Sequence, residues 1–351
     1  MTPANTAVLE RIAALAAIPA PSGREHALRR VVAERWGPHV EDVSVDDVGN
    51  LVARVGGHGR RVLVLAHLDE IGWVVRHVSD DGFLLLDSAQ GKRNDGPEPR
   101  HMIGHAASVF GRDSVVAHGV FAAASGHVTT KAQRETPIAD WDDFFVDIGV
   151  ASADEATALG IHVGSPVVFR TETRAVGRRI VGSAMDDRAL LCTIELLLER
   201  LSGADLGVEL HVAATVQEES GLHGARALAA TQRFDEVLAL DVGLVGDIPT
   251  VGHARFGGRL GGGPIIVHKD ALVAYDHELA WELGDRADAT GIPWQHGVFA
   301  GYGSDGLPFV QAGMRTALLC VPTRYTHSPF EMIDADDVEA LTRLLLAWVA
   351  A

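Results

Sequence analysis

Short runs of apolar residues recur along the chain and predict strands that are buried on both faces. The runs are Arg61–Ala66, Leu210–Val216, Glu236–Leu240 and Arg315–Val321. Between them, apolar residues return every three or four positions, as in Asp187–Leu201, and this spacing predicts amphipathic helices. Continuous apolar strands that alternate with helices are typical of a parallel sheet covered on both sides. We therefore predict an α/β fold with a mixed sheet, parallel at its core and flanked by helices.

The middle of the chain has a different pattern, with short apolar and polar alternations separated by Gly, Asp and Pro. The alternations are Trp73–Val75, Phe83–Leu86, Ala107–Phe110 and Val115–Val116. This pattern is typical of a small all-β module. We therefore expect residues 73–173 to form an inserted β-barrel domain, and residues 1–72 and 174–351 to form the α/β domain that carries the chemistry.

Composition and charge limit the class of protein. The 351 residues are 47% hydrophobic and 22% charged, which is typical of a folded globular protein. Lys and Arg number 30 against 47 Asp and Glu, so the formal charge is −17. Nucleic acids and anionic membranes bind basic surfaces, and we expect neither as a partner.

The cysteines and the N-terminal segment indicate the cellular location of the protein. Cys192 and Cys320 each lie in an apolar stretch, which favours buried thiols in a reducing compartment over a disulfide. Leu9, Ile12 and Leu15 recur at helical spacing without a preceding basic segment, so we expect an amphipathic first helix rather than a signal peptide. No apolar run reaches the ~20 residues of a membrane span. We expect a cytoplasmic protein.

Residue types that bind metals lie at the ends of predicted strands or in sharp loops. They are His67, Asp186, Glu219, Asp241 and His327. The carboxyl ends of parallel strands are where open α/β sheets place their sites. Singly, each residue could be a helix cap or a surface acid. Together, two histidines and three carboxylates suit two Zn²⁺-like ions that share one carboxylate.

Two neighbouring acids extend this candidate site. Glu218 precedes Glu219, and two adjacent carboxylates at a buried strand end are costly unless a positive charge lies nearby. One can bind a metal while the other remains a general base. Asp69 lies two residues after His67, a spacing that lets its carboxylate accept a hydrogen bond from the second ring nitrogen.

Six ordered segments stand out in the sequence, and five of them carry these residues. They are AHLDEIG (66–72), VDIGVASADEATALGIHVGSPV (146–167), GSAMDDRA (182–189), VQEESGLHGA (216–225), LDVG (240–243) and PTRYTHSPFE (322–331). With them the chain resembles the tetrahedral, or glutamyl-type, aminopeptidase family M42 over nearly its whole length. The match is loose at Gly301–Asp305, and the role of that segment stays open.

The resemblance implies a role for each residue. Asp186 would bridge two divalent ions, most readily Zn²⁺ or Co²⁺. His67 and Asp241 would complete the ligand set of one ion, and Glu219 and His327 would complete that of the other. Glu218 would be the general base, Asp69 would orient His67, and the Asp186–Asp187 peptide bond would be cis.

The resemblance also implies an activity and an assembly. The expected reaction is removal of N-terminal residues from short peptides by a metal-activated water. The inserted domain would serve dimerisation or act as a lid, and the protein would be a homo-oligomer, with a tetrahedral dodecamer built from dimers as one form. Hydrolysis of a small N-acyl or amide metabolite by the same site is the alternative. A glycosidase would need two metal-free carboxylates, and a non-catalytic protein would be expected to lack a ligand or the base.

Overall fold

The structure is a computed structural model that describes residues 2–90, 101–124, 127–135, 143–204 and 206–350. The strands, numbered along the chain, are β1 Asp42–Val45, β2 Leu51–Gly56, β3 Arg61–His67, β4 Trp73–Val78, β5 Leu84–Ser88, β6 Ala106–Phe110, β7 Val115–Ala122, β8 Phe145–Asp147, β9 Pro166–Phe169, β10 Arg174–Val176, β11 Arg179–Gly182, β12 Glu209–Thr215, β13 Glu236–Leu244, β14 Ile265–Lys269, β15 Gln295–Val298, β16 Arg315–Thr323 and β17 Glu331–Asp334. The α-helices are α1 Pro3–Ala16, α2 His26–Trp36, α3 Lys131–Glu135, α4 Ala153–Ala158, α5 Met185–Leu201, α6 His223–Thr231, α7 His277–Thr290, α8 Gly306–Gln311 and α9 Ala335–Val349. Of the helices in the described ranges, none is both long enough and apolar enough to cross a membrane.

The chain divides into two compact units. The larger unit consists of Met1–Asp69, Thr173–Thr326 and Glu331–Ala351, and the smaller one of Glu70–Glu172 and His327–Phe330. Residues 91–100, 125–126 and 136–142 of the predicted inserted domain lie outside the described residues.

The larger unit is built on an eight-stranded mixed sheet with the order β1-β2-β12-β3-β13-β16-β14-β15. Its four central strands, β12, β3, β13 and β16, run parallel to one another. Strands β1 and β2 are antiparallel on one side, and β14 is antiparallel to β16 on the other. The prediction of a mixed sheet with a parallel core is confirmed.

Helices cover both faces of this sheet, which explains why β3 is apolar from Val62 to Ala66. Val62, Val64 and Ala66 belong to a core cluster that includes residues of α5 and α9. Leu63 and Leu65 belong to a second cluster with residues of α6 and α8. Because successive side chains of a strand point to opposite faces, a strand between two helical layers has no polar face.

The smaller unit contains a closed barrel of short strands in the order β4-β5-β8-β7-β6-β9. Trp73 is fully buried within it and makes edge-to-face contacts with Phe121 and Phe169, at ring-centroid distances of 4.9 and 4.7 Å. The alternating apolar residues of these strands fill the interior, as alternation in a closed sheet requires. The β-barrel prediction is confirmed.

Candidate metal centre

The parallel core of the sheet brings the candidate residues to one edge. His67 is the last residue of β3 and lies in register with Thr215, the last residue of β12. Glu218 and Glu219 follow Thr215 within four residues, and Asp241 lies in the carboxyl-terminal half of β13. Because β12, β3 and β13 are adjacent and parallel, their carboxyl ends meet at the position where α/β sheets place their sites.

The side chains converge closely enough to hold metal ions. His67, Asp186, Asp187 and Asp241 offer ligand atoms that all lie within 4.8 Å of one another. His67, Glu218 and Glu219 form a second such group. Asp186 and Glu219 also offer atoms within this distance of each other. The pattern suits more than one ion, because His67 and Asp186 each take part in two groupings.

His67 is at the centre of the cluster and is 2% exposed. Its Nε2 lies 2.9 Å from Oδ1 of Asp186, and its Nδ1 lies 3.1 Å from the backbone oxygen of Asp69 and 3.5 Å from the carboxylate. Burial opposes protonation of His67, but Asp187, Asp186 and Asp69 outweigh it and raise the pKa of the ring well above its ordinary value. The surroundings of this imidazole therefore strongly favour a positive charge.

Asp69 is fully buried and holds the loop after β12. Its carboxylate accepts from the backbone N–H groups of Glu218 and Glu219, over 2.9 and 3.2 Å, and from the hydroxyl of Ser22 over 2.5 Å. The His67 ring thus lies nearer to the backbone oxygen of Asp69 than to the Asp69 carboxylate. The carboxylate instead holds the backbone of Glu218 and Glu219. One residue constrains a candidate ligand on β3 and two candidates after β12.

The cluster holds more carboxyl groups than its cations can neutralise. Burial raises the pKa of Asp187, Glu218 and Asp241 well above the ordinary range, and neighbouring carboxylates raise each further. Burial likewise raises the pKa of Asp305 to about 7. Oδ1 of Asp187 and Oδ1 of Asp305 are buried and find no hydrogen-bond partner within the described part of the chain. Divalent ions would offset this charge, and a set of imidazole and carboxylate ligands is one that Zn²⁺-like ions accept, so the residues fit the predicted metals.

Several residues of the site were not singled out from the sequence. Asp187 accepts from the backbone N–H of His67 over 3.1 Å, and Glu331 accepts from that of Asp186 over 3.2 Å. Asp305 accepts a hydrogen bond from Thr215. The only sequence signal for Asp187 is its position beside Asp186, and the loose match at Gly301–Asp305 hid the role of Asp305.

Left-handed backbone occurs beside the candidate residues. Among non-glycine residues, Gln217 has φ 55° and precedes Glu218, Ala184 has φ 57° and lies two residues before Asp186, and His327 has φ 57°. Such a conformation costs about 1–2 kcal/mol for a residue with a Cβ and is found where the site imposes it. The Asp186–Asp187 peptide bond is cis, as the resemblance implied.

His327, the last predicted ligand, lies in the loop between β16 and β17 and belongs to the smaller unit. Thr326, directly before it in the chain, lies in the larger unit, and its hydroxyl donates to Oδ2 of Asp186 over 3.4 Å. The loop after β16 thus reaches the candidate centre one residue before His327.

These features define an α/β protein with a buried, acid-rich candidate metal centre at the carboxyl ends of its central strands. Residues 49–344 match the family model of the M42 glutamyl aminopeptidases, and the chain belongs to this family. It is therefore an enzyme that hydrolyses peptide bonds.

Similar proteins extend over nearly the whole chain. An aminopeptidase from the archaeon Desulfurococcus kamchatkensis is 31% identical, with a TM-score of 0.91 over 99% of this chain and 95% of that one. The TET1 peptidase of Pyrococcus horikoshii, described as assembling into a tetrahedron or a large octahedral shell, is 29% identical, with a TM-score of 0.86 over 97% and 99%. The lysyl aminopeptidase of Pyrococcus furiosus is 27% identical over 94% of this chain and 93% of its own.

Proposed function

We propose that the protein is a dinuclear metalloaminopeptidase that removes N-terminal residues from short peptides. The observation that carries this proposal is the convergence of His67, Asp186 and Asp241 with Glu218 and Glu219 at one sheet edge. Its membership of an aminopeptidase family favours peptide hydrolysis over the alternative, hydrolysis of a small N-acyl or amide metabolite.

The proposed ligands form two sets that share Asp186. His67 and Asp241 lie in one group with Asp186, and Glu219 offers an atom close to the same carboxylate, which supports a bridging role. His327 completes the second set in this proposal, supported by the contact of Thr326 with Asp186. Zn²⁺ or Co²⁺ are the proposed ions, because imidazole and carboxylate ligands suit both.

The bound ions would polarise the carbonyl of the scissile peptide bond and make water a better nucleophile. Glu218 is the proposed general base, since Glu219 is assigned as a ligand and leaves its neighbour to move protons. The Glu218 carboxylate accepts a proton from the attacking water and then delivers it to the nitrogen of the leaving amine as the C–N bond breaks. Asp69 positions this base through the hydrogen bond from the Glu218 backbone N–H.

We also propose the substrates, the oligomeric state and the cellular location of the enzyme. Short peptides are the substrates, and the inserted domain, residues 73–173, serves dimerisation or acts as a lid. A homo-oligomer, of which a tetrahedral dodecamer is one form, is supported by the assemblies described for the Pyrococcus horikoshii relative. A cytoplasmic location is supported by the two buried, unbridged cysteines.

A panel of peptides with free and with acetylated N-termini tests this function. We expect the protein reconstituted with Zn²⁺ or Co²⁺ to cleave only the peptides with a free N-terminus, and the metal-depleted protein to be inactive. The substitution Glu218→Gln should lower kcat about 10²- to 10⁴-fold, because proton transfer in the transition state contributes that much, while the metal content stays unchanged.

The exposed Glu10 supplies a matched control, since Glu10→Gln removes the same charge from the first helix. It should leave kcat unaltered. Full activity of both the exhaustively metal-depleted protein and Glu218→Gln would refute the proposal. Preferential cleavage of the acetylated substrates would instead support the deacylase alternative.

A further inference from the structure

A cluster of aromatic and imidazole side chains lies at the far edge of the large sheet. Strand β15 ends the sheet order beside β14, and the two strands run parallel. Their register shifts between Val267 and Lys269, so that Val267 pairs with Gly297 and Lys269 with Val298. His268 is the extra residue of this irregularity. Bulges at sheet edges redirect side chains, and here His268 meets His296 of the edge strand.

The two imidazoles are close and similarly oriented. Nε2 of His268 lies 2.8 Å from Nδ1 of His296, and the rings stack with centroids 5.0 Å apart and an interplanar angle of 27°. One neutral ring can donate to the other at this distance. Equally, two nitrogen ligands at ~2.0 Å from one ion are about 2.8 Å apart when they subtend a right angle, the cis arrangement of tetragonal Cu²⁺ and Ni²⁺ sites. Both rings would have to turn from the hydrogen-bonded arrangement for their lone pairs to meet at such an ion.

The surroundings of the two imidazoles leave them accessible. His296 and His277, the first residue of α7, are exposed, and His268 is partly exposed. Trp281 on α7 is 45% exposed, and its ring centroid lies 5.6 Å from that of His296 and 6.3 Å from those of His268 and His277. All these residues belong to the larger unit, and the net charge of −17 raises the local concentration of cations.

We propose that His268 and His296 form a surface binding site for a transition-metal ion of the Ni²⁺ or Cu²⁺ type. Neutral imidazole is the commonest side-chain ligand of such ions, and a pair from adjacent strands is held in place by the sheet. This site contains none of the acids around His67. It therefore stands or falls independently of the aminopeptidase proposal.

Titration of the full-length, Zn²⁺-reconstituted protein with Ni²⁺ tests the site, with tryptophan fluorescence and calorimetry as readouts. We expect wild-type protein to bind one more Ni²⁺ per chain than His268→Gln or His296→Gln, and to lose fluorescence as that ion binds beside Trp281. Trp281→Phe should keep the calorimetric signal and lose part of the quenching, because Trp294 also lies near His296, with 4.4 Å between the ring centroids. His58→Gln, a matched change at an exposed histidine of the β2–β3 loop, should behave as wild type.

The difference in bound Ni²⁺ between wild type and the variants counts only the ions held by this pair. Ni²⁺ that enters the proposed active site binds equally to all of these proteins and does not contribute to the difference. Circular dichroism melts of each variant verify that the fold is kept. Equal Ni²⁺ stoichiometry and equal quenching in wild type, His268→Gln and His296→Gln would overturn the proposal, because the two rings would then be only a hydrogen-bonded pair.

Discussion

Two adjacent glutamates after β12 are held by one buried carboxylate. Both oxygens of Asp69 accept from the backbone of Glu218 and Glu219, and its own carbonyl faces the ring of His67. The proposed separation of roles between Glu218 and Glu219 thus depends on a residue that follows the neighbouring strand β3. A positioning residue of this kind should affect both metal binding and turnover.

The substitution Asp69→Asn tests that role. The amide keeps the size of the side chain but points an NH₂ group at one of two backbone N–H donors. We expect metal affinity or kcat to fall about 10- to 100-fold, the usual effect of losing an outer partner of a metal site. Metal titration and steady-state kinetics on one peptide measure it.

Ser22→Ala is the control for Asp69→Asn, because it removes a single donor to the same carboxylate and leaves both backbone contacts. Its effect should be clearly smaller. Unchanged metal affinity and kcat in Asp69→Asn would contradict the positioning role.

At the scale of residues, the sequence predicts only those parts of the site that have a local signature. His67 and Glu218 could be singled out because they follow apolar runs, and the structure places both beside one another. Asp305 could not be singled out in this way. It lies 90 residues after Thr215 in the sequence, and only folding brings the two side chains into contact. Asp187 reads locally as an acid in the first turn of a helix, and its contact with the backbone of His67 depends on the tertiary structure.

At the scale of elements, the apolar runs predicted where strands lie in the chain but not which strands pair with each other in the sheet. The run 61–66 and the run 210–216 became adjacent parallel strands, yet β2 pairs with β12 although β3 follows it in the chain. A strand that is buried on both faces carries no mark of which strand lies beside it. The antiparallel direction of β14 likewise left no trace in the apolar pattern.

Helix α9 offers a pH-dependent test at this scale. Asp337, in its first turn, is 1% exposed and accepts from the backbone N–H groups of Gly261 and Gly263 over 2.7 and 2.8 Å. Burial raises the pKa of Asp337 to about 7. Because the folded state holds this proton more tightly than the unfolded state does, the contribution of Asp337 to the free energy of unfolding decreases as pH rises from about 4 to about 7.

Asp337→Asn should remove that dependence. We expect the decrease, at most about 1.4 kcal/mol per pH unit, to disappear in a series of urea titrations between pH 4 and 8 on the metal-loaded protein. Asp336→Asn alters the preceding residue, an exposed acid in contact with Asn5 whose charge is the smallest of the causes of the raised pKa of Asp337, and should keep most of the slope. The same slope in wild type and Asp337→Asn would show that this carboxyl does not titrate as expected.

At the scale of the whole molecule, the enzyme belongs to a family that includes a relative described as assembling into a tetrahedron or a large octahedral shell. If this chain forms a dodecamer, light scattering on the size-exclusion peak should give twelve times 37.3 kDa, or about 450 kDa. A higher oligomer of the same chain would fit the octahedral form of the relative. A single peak at the mass of one chain would contradict the proposed assembly while leaving the proposed metal centre untouched.

The central claim, a dinuclear centre built around Asp186, is tested most directly by counting metal ions per chain after reconstitution with Zn²⁺ and removal of excess. The count is best made by elemental analysis on the His268→Gln/His296→Gln double variant, which lacks the proposed surface site. We expect two ions per chain in that protein, two again when Glu218→Gln is added, and a loss of at least one when Asp186→Ala is added instead. Fewer than two ions per chain in the double variant, or both ions retained without Asp186, would contradict a dinuclear centre built around Asp186.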